Sequence, residues 1–359
     1  MRQKMNPSSE KQSHIESVPQ KKCPLCDSQG SLLFANLSDK IFNVPGSWNI
    51  RRCSNSACRI IWLDPKPVDG ELSKLYVNYY THKDSPGKSF SQKKISSKIA
   101  QMYFNLKIGY WNLVFGYKNV SLPFFYKYLA ALFFLTPGKR LWIDLDVRCL
   151  PFVAEGTLLD IGCGNGQWIA FMKTLGWDVS GIDFDKDAID HCAKKNLKVR
   201  AGDLIEQHYP NNFFDAITLS HVIEHLPHPE ATLKECYRIL KPNGRIIVTT
   251  PNAESFGLDF FKGYWRGLEP PRHLQVFSVS ALQDILISVG FNVIKCTTHG
   301  GRHILYSSSV LKHEIQLVDE ETVLPLMSAL FVRLLSFIES VYVLFNHRKG
   351  ELLLAVANK

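Results

Sequence analysis

Leu158-Leu159-Asp160-Ile161-Gly162-Cys163-Gly164-Asn165-Gly166 decides how this chain folds. An apolar run ends in a turn with glycine at alternate positions, and a helical pattern follows over 167–175. Glycine there permits positive φ and lets a ligand approach the backbone closely. Dinucleotide loops follow G-x-G-x-x-G, but position 167 is Gln and the third glycine falls at 166. A phosphate-cradling P-loop would end in Gly-Lys-Ser/Thr, which is absent. The turn is therefore shaped for a ligand without either phosphate signature.

Working outward, strands are predicted over 157–161, 178–182, 198–200, 214–219 and 245–250, and helices over 167–175, 186–195 and 229–240. Strands that alternate with helices imply right-handed βαβ units on a parallel sheet. A helix over 280–289 and strands over 291–296 and 351–357 complete the pattern. The ends of the strands carry the chemistry. Gly181-Ile182-Asp183 sets a carboxylate where an open α/β sheet binds a ribose diol, with Phe184 beside it. Gly202-Asp203 sets another after the third strand, able to accept from an exocyclic amine. Ser220-His221-Val222-Ile223-Glu224-His225-Leu226 follows the fourth strand at the same edge.

These four segments resemble, in order and spacing, the cofactor motifs of class I S-adenosylmethionine-dependent methyltransferases. The run at 220–229 is especially similar to the ubiquinone-biosynthesis-like branch. The resemblance covers about 155–300 and the terminal strand. It implies a Rossmann-like α/β fold with a seven-stranded sheet whose last strand, 351–357, inserts antiparallel beside 291–296. It further implies that Asp160 and Gly162, Cys163, Gly164, Asn165 and Gly166 shape the methionine pocket. Asp183 would hold the ribose hydroxyls, Asp203 the adenine amine, and Ser220 with His221 the pocket floor, with Phe184 a further cofactor-binding residue.

Cys23-Pro-Leu-Cys26 and Cys53-Ser-Asn-Ser-Ala-Cys58 offer four thiolates on two turns, the ligand set of a closed structural Zn2+ site. A four-cysteine module ahead of this catalytic domain also resembles a group of bacterial methyltransferases of surface-polysaccharide and natural-product pathways. The segment Trp62-Leu63-Asp64-Pro65-Lys66-Pro67, with Tyr76 and Tyr79-Tyr80 after it, is similar to that group's connector. The organisation expected is a disordered tail over 1–20, a zinc-binding module over 21–68, a helical linker or lid over 69–150, and the catalytic domain over 151–359. An apolar helical insertion is expected near 318–348.

Methyl transfer to oxygen needs a base for the acceptor proton. His221, Glu224, His225 and His273 are the candidates; Arg272 is a candidate to hold an anionic acceptor with His273 taking its proton, and His225, at the start of the helix after the fourth strand, is read as packing or capping. The acceptor expected is a small molecule, a saccharide or a lipid-linked glycan.

The formal charge is +9, with Lys4, Lys11, Lys21, Lys22, Lys93, Lys94 and Lys98 in the N-terminal part. That balance favours anionic partners, including an anionic membrane surface. No aromatic-interleaved basic motif marks nucleic acid. The apolar stretch 323–345 is long enough to suggest a membrane span, but strands of one sheet lie on either side of it, so a buried or interfacial helix is expected. Met1 to Gln20 has no apolar core, and nine cysteines are an odd number. Reduced thiols are expected, in the cytoplasm or beside the inner membrane face. Three other readings stay open: a nicotinamide oxidoreductase, an RNA methyltransferase, and a zinc-ribbon interaction protein with a noncatalytic Rossmann-like domain. The missing G-x-G-x-x-G, the missing Asn-Pro-Pro-Tyr type of motif and the intact glycines weigh against them in turn.

Overall fold

The structure is a computed structural model that describes residues 15–77, 98–118, 122–135, 137–312 and 326–359. Lys4, Lys11, Lys93, Lys94 and Tyr79-Tyr80 lie outside the described residues, as does the start of the apolar stretch at 323–325.

The N-terminal part is built from short strands: β1 (Ser17–Val18), β2 (Gly30–Leu37), β3 (Trp48–Cys53), β4 (Ile61–Asp64) and β5 (Lys66–Pro67). Residues 15–20, expected to be disordered, are held in place instead. Val18 pairs with Lys66, Ser17 with Pro67, and Ile15 is buried against a cluster that includes Trp48 and Leu63. One apolar residue in a polar segment anchors it, a signal too small for composition to carry.

Three helices follow: α1 (Lys98–Phe115), α2 (Phe125–Ala130) and α3 (Pro137–Asp146), with a 3-10 turn over Ala131–Leu135. Then come β6 (Thr157–Ile161), α4 (Gln167–Thr174), β7 (Asp178–Asp183), α5 (Lys186–Lys194), β8 (Lys198–Ala201), β9 (Phe214–Ser220), α6 (Pro229–Ile239) and β10 (Leu240–Pro251). The chain closes through α7 (Phe256–Phe261), β11 (Gln275–Val276), α8 (Val279–Val289), β12 (Asn292–His299), α9 (Arg302–Lys312), α10 (Leu326–Phe345) and β13 (Leu352–Asn358).

Seven strands form one sheet in the order β12-β13-β10-β9-β6-β7-β8. β13 is antiparallel to both neighbours, with Val356 opposite Ile247 and Ala355 opposite Cys296. This is the inserted terminal strand expected from the sequence. Side chains alternate between the two faces, as the two-residue period of a strand requires. Leu158, Ile247 and Leu354 pack with Trp111, Ile143 and Met172 on one face. Leu159, Ile246 and Leu353 pack with Leu233, Cys236 and Leu282 on the other.

The N-terminal strands are fused to this domain. β11, from the segment after β10, adds to their sheet in the order β11-β4-β3-β2. Gln275 pairs with Trp62 and Val276 with Ile61. Cys23, Cys53, Cys58 and Trp62 share a core with Leu219, Ile223 and Phe277. The N-terminal part therefore supports the elements beyond the C-terminal ends of β9 and β10.

Candidate active site

The glycine turn between β6 and α4 has φ of +71° at Gly162, +52° at Gly164 and +73° at Gly166. A Cβ at Gly162 would collide with Val222, whereas one at Gly164 would meet nothing within 4 Å. Gly162 is thus required by packing, and Gly164 bares its backbone to open space. The Gly164 amide donates to Asp183 Oδ2 at 2.7 Å, and the Asp185 amide donates to Asp183 Oδ1 at 3.0 Å. Asp183 stands at the end of β7, and burial pushes its carboxyl above the ordinary range. Phe184 beside it presents an exposed ring. Asn165 accepts from the Gln167 amide at the start of α4. Cys163 is buried, its sulfur against Gly181, and so serves as a packed small residue. Asp203 accepts from the Ile205 amide at 2.8 Å, which holds its own turn together. Ser220 accepts from the Thr249 hydroxyl at 3.0 Å.

Asp160 is 1% exposed and faces inward. It is ion-paired to Arg148 and accepts from Thr218 at 2.7 Å, while its Oδ2 has no hydrogen-bond partner among the described residues. The Arg148 guanidinium lies 3.6 Å from the centre of the Trp168 ring. Sequence reading missed Arg148 and Trp168. Arg148 precedes the glycine turn by more than a dozen residues, and no motif marks it.

The histidines gather beyond β9 and β10. Glu224 is fully buried, with Oε2 accepting from Thr250 at 2.9 Å. Burial would raise its pKa, but His221 and the other histidines around it hold it down to about 2. His221 Nδ1 lies 3.4 Å from Glu224 Oε1, which makes no hydrogen bond among the described residues, and the His221 side chain is 42% exposed. His225 Nδ1 sits 3.1 Å from the Arg272 carbonyl and 2.9 Å from the Tyr76 hydroxyl. His273 Nδ1 sits 2.8 Å from the Gly267 carbonyl. A carbonyl can only accept, so the His273 ring carries its proton on Nδ1, whereas His225 Nδ1 faces both a carbonyl and a hydroxyl able to donate to it. Burial lowers the pKa of both, and His225 adds to the effect on His273. The two rings meet edge to face at 4.7 Å.

Arg272 does not face an acceptor. It is fully buried, with Nη1 and Nη2 on the Asp39 carboxylate at 2.8 and 3.0 Å and Nε on Glu269 at 2.8 Å. The expectation that it holds an anionic acceptor is corrected: both of its nearest anions belong to the chain. It ties the loop after α7 to the segment between β2 and β3. His299, at the end of β12, also escaped sequence reading. It is 3% exposed, packs on Trp142, and its Nε2 has no hydrogen-bond partner among the described residues.

Among the described residues, two groups have donor sets able to hold a metal: Cys23, Cys26, Cys53 and Cys58, and the trio Glu224, His225 and His273. Cys23 Sγ and Cys58 Sγ are 3.7 Å apart, and Cys26 Sγ and Cys53 Sγ are 3.4 Å apart. Four thiolates about 2.3 Å from a tetrahedral Zn2+ would be about 3.8 Å from each other. The quartet fits that ion and is far too open for disulfides.

Residues 135–296 match a methyltransferase domain family. A protein of Mycolicibacterium smegmatis named "Probable S-adenosylmethionine-dependent methyltransferase" is 30% identical over 138 residues, 38% of this chain and 52% of that protein. A ubiquinone biosynthesis O-methyltransferase of Alkalilimnicola ehrlichii is 31% identical over 31% of this chain and 47% of its own length. A demethylmenaquinone methyltransferase of Staphylococcus aureus is 35% identical over 30% of this chain and 46% of its own. The chain spans about half the length of the curated relatives it matches. A solved structure of a SAM-dependent methyltransferase from Archaeoglobus fulgidus is similar with a TM-score of 0.43 and 25% identity, covering 63% of this chain and 99% of that one. Residues 135–296 are thus similar to a methyltransferase domain, and the strand order is the one that the resemblance to class I S-adenosylmethionine-dependent methyltransferases implies.

Proposed function

We propose that this chain transfers a methyl group from S-adenosylmethionine to an oxygen of a small-molecule acceptor, with His221 as the base. When bound, the cofactor supplies a methyl group already activated on a sulfonium. The protein's task is then alignment and proton removal. Gly162 to Gly166 would let the methionine part approach the backbone, with Arg148, held by Asp160, offering a cation for its carboxylate. Asp183 would accept from the ribose hydroxyls through lone pairs left beside its two amide donors. Phe184 would cover the adenine, and Asp203 would accept from its amine.

The observation that carries the reading is the His221–Glu224 pair at the strand edge beside the glycine turn. An ionised, buried carboxylate faces Nδ1 of an accessible imidazole. That arrangement favours a proton on Nδ1 and leaves Nε2 to take one from an acceptor hydroxyl. Of the three candidate histidines, His225 and His273 each have Nδ1 against a backbone carbonyl, and His273 is buried as well. They are better suited to building the wall of the acceptor side than to exchanging protons.

The names of the relatives make a quinone-like phenol a reasonable acceptor to try, beside sugars, polyketides and lipid-linked glycans. A structural Zn2+ on Cys23, Cys26, Cys53 and Cys58 belongs to the same reading, as does a cytoplasmic location, which rests on the free thiols. Calorimetry tests the core of it. Wild type should bind S-adenosylmethionine, and Asp183→Ala should bind it far more weakly. A folded wild type that binds none would favour a noncatalytic interaction protein.

A further inference from the structure

A helix packed on a globular domain normally turns its apolar stripe inward and its polar residues out. α10 departs from that rule. Val332, Leu335 and Glu339 form its buried line. Leu330, Leu334, Phe337, Ile338, Val341 and Phe345 point outward, Phe337 with 67% and Phe345 with 85% of its surface exposed. Single exposed apolar residues are ordinary, but a continuous outward face of them marks an interaction surface. The segment around α2 repeats the pattern: Phe124, Tyr128, Leu132 and Leu135 are exposed, and so is Trp142 on α3.

Both elements are anchored near the end of β12. Trp142 packs on His299, and two residues later the Gly301 amide donates to Glu339 of α10 at 3.2 Å. The acids next to the α2 face lie on α3, where Asp144 pairs with Arg140 and Asp146 with Lys107. Residues 98–118 and 122–135 contain lysines and no Asp or Glu. Arg140 lies over the Phe134 ring, and Arg333 and Arg348 are exposed on or just after α10. The acid of α10, Glu339, is buried and accepts from the Gly301 and Glu351 amides. Among the described residues no helix is long and apolar enough to cross a membrane. α10 is also tethered by Glu339 to both strand ends, which keeps it lying on the domain.

From this combination of outward apolar and aromatic side chains, cations among them, and a helix held flat, we infer that α10, residues 122–135 and Trp142 form one docking surface for an anionic phospholipid bilayer. Apolar side chains would enter the boundary between headgroups and acyl chains, and the arginines and lysines would meet the phosphates. The docking stands without the methyl-transfer reading. Its consequence, that an acceptor dissolved in the bilayer reaches His221 without crossing water, rests on that reading.

The test is flotation of the full chain with phosphatidylcholine vesicles carrying about 30% phosphatidylglycerol, against pure phosphatidylcholine, at low and high salt. Wild type should float with the anionic vesicles and less so at high salt. Phe337→Glu/Val341→Glu should lower the bound fraction about tenfold or more, since both carboxylates would have to enter the interface. Tyr128→Glu on α2 should act in the same direction. Ile287→Glu, an exposed change on α8, should leave binding intact. Unchanged circular dichroism and S-adenosylmethionine affinity in the variants would separate lost docking from lost folding or a failed cofactor site. Absence of vesicle binding by wild type, or binding indifferent to the α10 and α2 variants, would overturn the inference. A wild-type dimer that the same variants convert to monomer, without vesicle binding, would assign the surface to a second copy of the chain instead.

Discussion

Asp183 Oδ2 accepts the Gly164 amide at 2.7 Å, so the carboxylate at the end of β7 and the open glycine of the β6–α4 turn form one unit. Asp183→Ala should weaken S-adenosylmethionine binding about 10- to 100-fold, the loss expected for a charged acceptor and the turn it steadies. Asp183→Asn should fall between, since its amide group cannot accept from the Gly164 and Asp185 amides together. Calorimetry on both variants measures this. Equal affinity for Asp183→Ala and wild type would remove Asp183 from the cofactor site.

His221 and Glu224 should separate catalysis from cofactor binding. His221→Ala is expected to lower kcat by roughly 10²- to 10⁴-fold, the usual contribution of a positioned base. S-adenosylmethionine affinity should change little. Glu224→Gln should lower kcat less, because it keeps a hydrogen-bonding group opposite His221 Nδ1. Single-turnover rates with an active acceptor decide it, and a His221→Ala enzyme as fast as wild type would pass the role to another group.

The sheet and the glycine turn were legible because they repeat short-range signals. Alternating apolar strands, glycine at 162, 164 and 166, and carboxylates at strand ends all lie within a few residues of one another. Arg148, Trp168 and His299 were not legible, because only the fold brings them to the strand edge. Arg272 was misread for the same reason: its partner Asp39 is 233 residues away. A lone Arg beside a His looks the same in sequence whether it faces a ligand or a buried carboxylate.

That buried pair has its own consequence. Asp39→Ala would leave Glu269 as the remaining carboxylate on a fully buried guanidinium. Removing one partner of a buried pair costs about 3–5 kcal/mol. Urea unfolding should show that loss. Asp39→Asn, which keeps hydrogen-bond acceptance on one oxygen, should lose less. A change below about 0.5 kcal/mol, typical of a surface site, would mean the pair is not holding the two segments together.

The four cysteines should bind one Zn2+ per chain. Cys26→Ser, at the exposed member of the quartet, should reduce the metal content measured by mass spectrometry and lower Tm, because a structural zinc site contributes directly to folding. The Ser278 hydroxyl donates to the Cys58 carbonyl at the base of the second turn. Loss of metal should therefore also loosen the start of α8, seen as faster amide exchange there. Protein purified without metal, with the same Tm after Zn2+ addition, would reduce the quartet to packed thiols.

The Glu339–Glu351 region should make stability depend on pH in a particular direction. Glu351 accepts from the Gly257 amide and from Trp265 Nε1 at 2.6 Å, and it lies at the start of β13. Burial, with Glu339 nearby, pushes its pKa up to about 8, and burial pushes Glu339 up to about 7. In an unfolded chain both would titrate near about 4.3. A carboxyl whose folded pKa is raised favours the native state when protonated. That contribution is fully present below about pH 4.3 and is lost as pH rises through about 7 and 8. The buried histidines act oppositely. Burial lowers His299 to about 4 and depresses His225 and His273. Their contribution is present above about pH 6.5 and is lost as pH falls from there through their folded values. Tm should therefore peak near neutral or slightly acidic pH and decline by a few degrees toward the alkaline side. Glu339→Gln tests the alkaline limb. Its amide oxygen can still accept from the Gly301 and Glu351 amides, while the repulsion on Glu351 disappears. The decline above neutral pH should flatten in this variant, and an unchanged slope in differential scanning fluorimetry would place the alkaline sensitivity elsewhere.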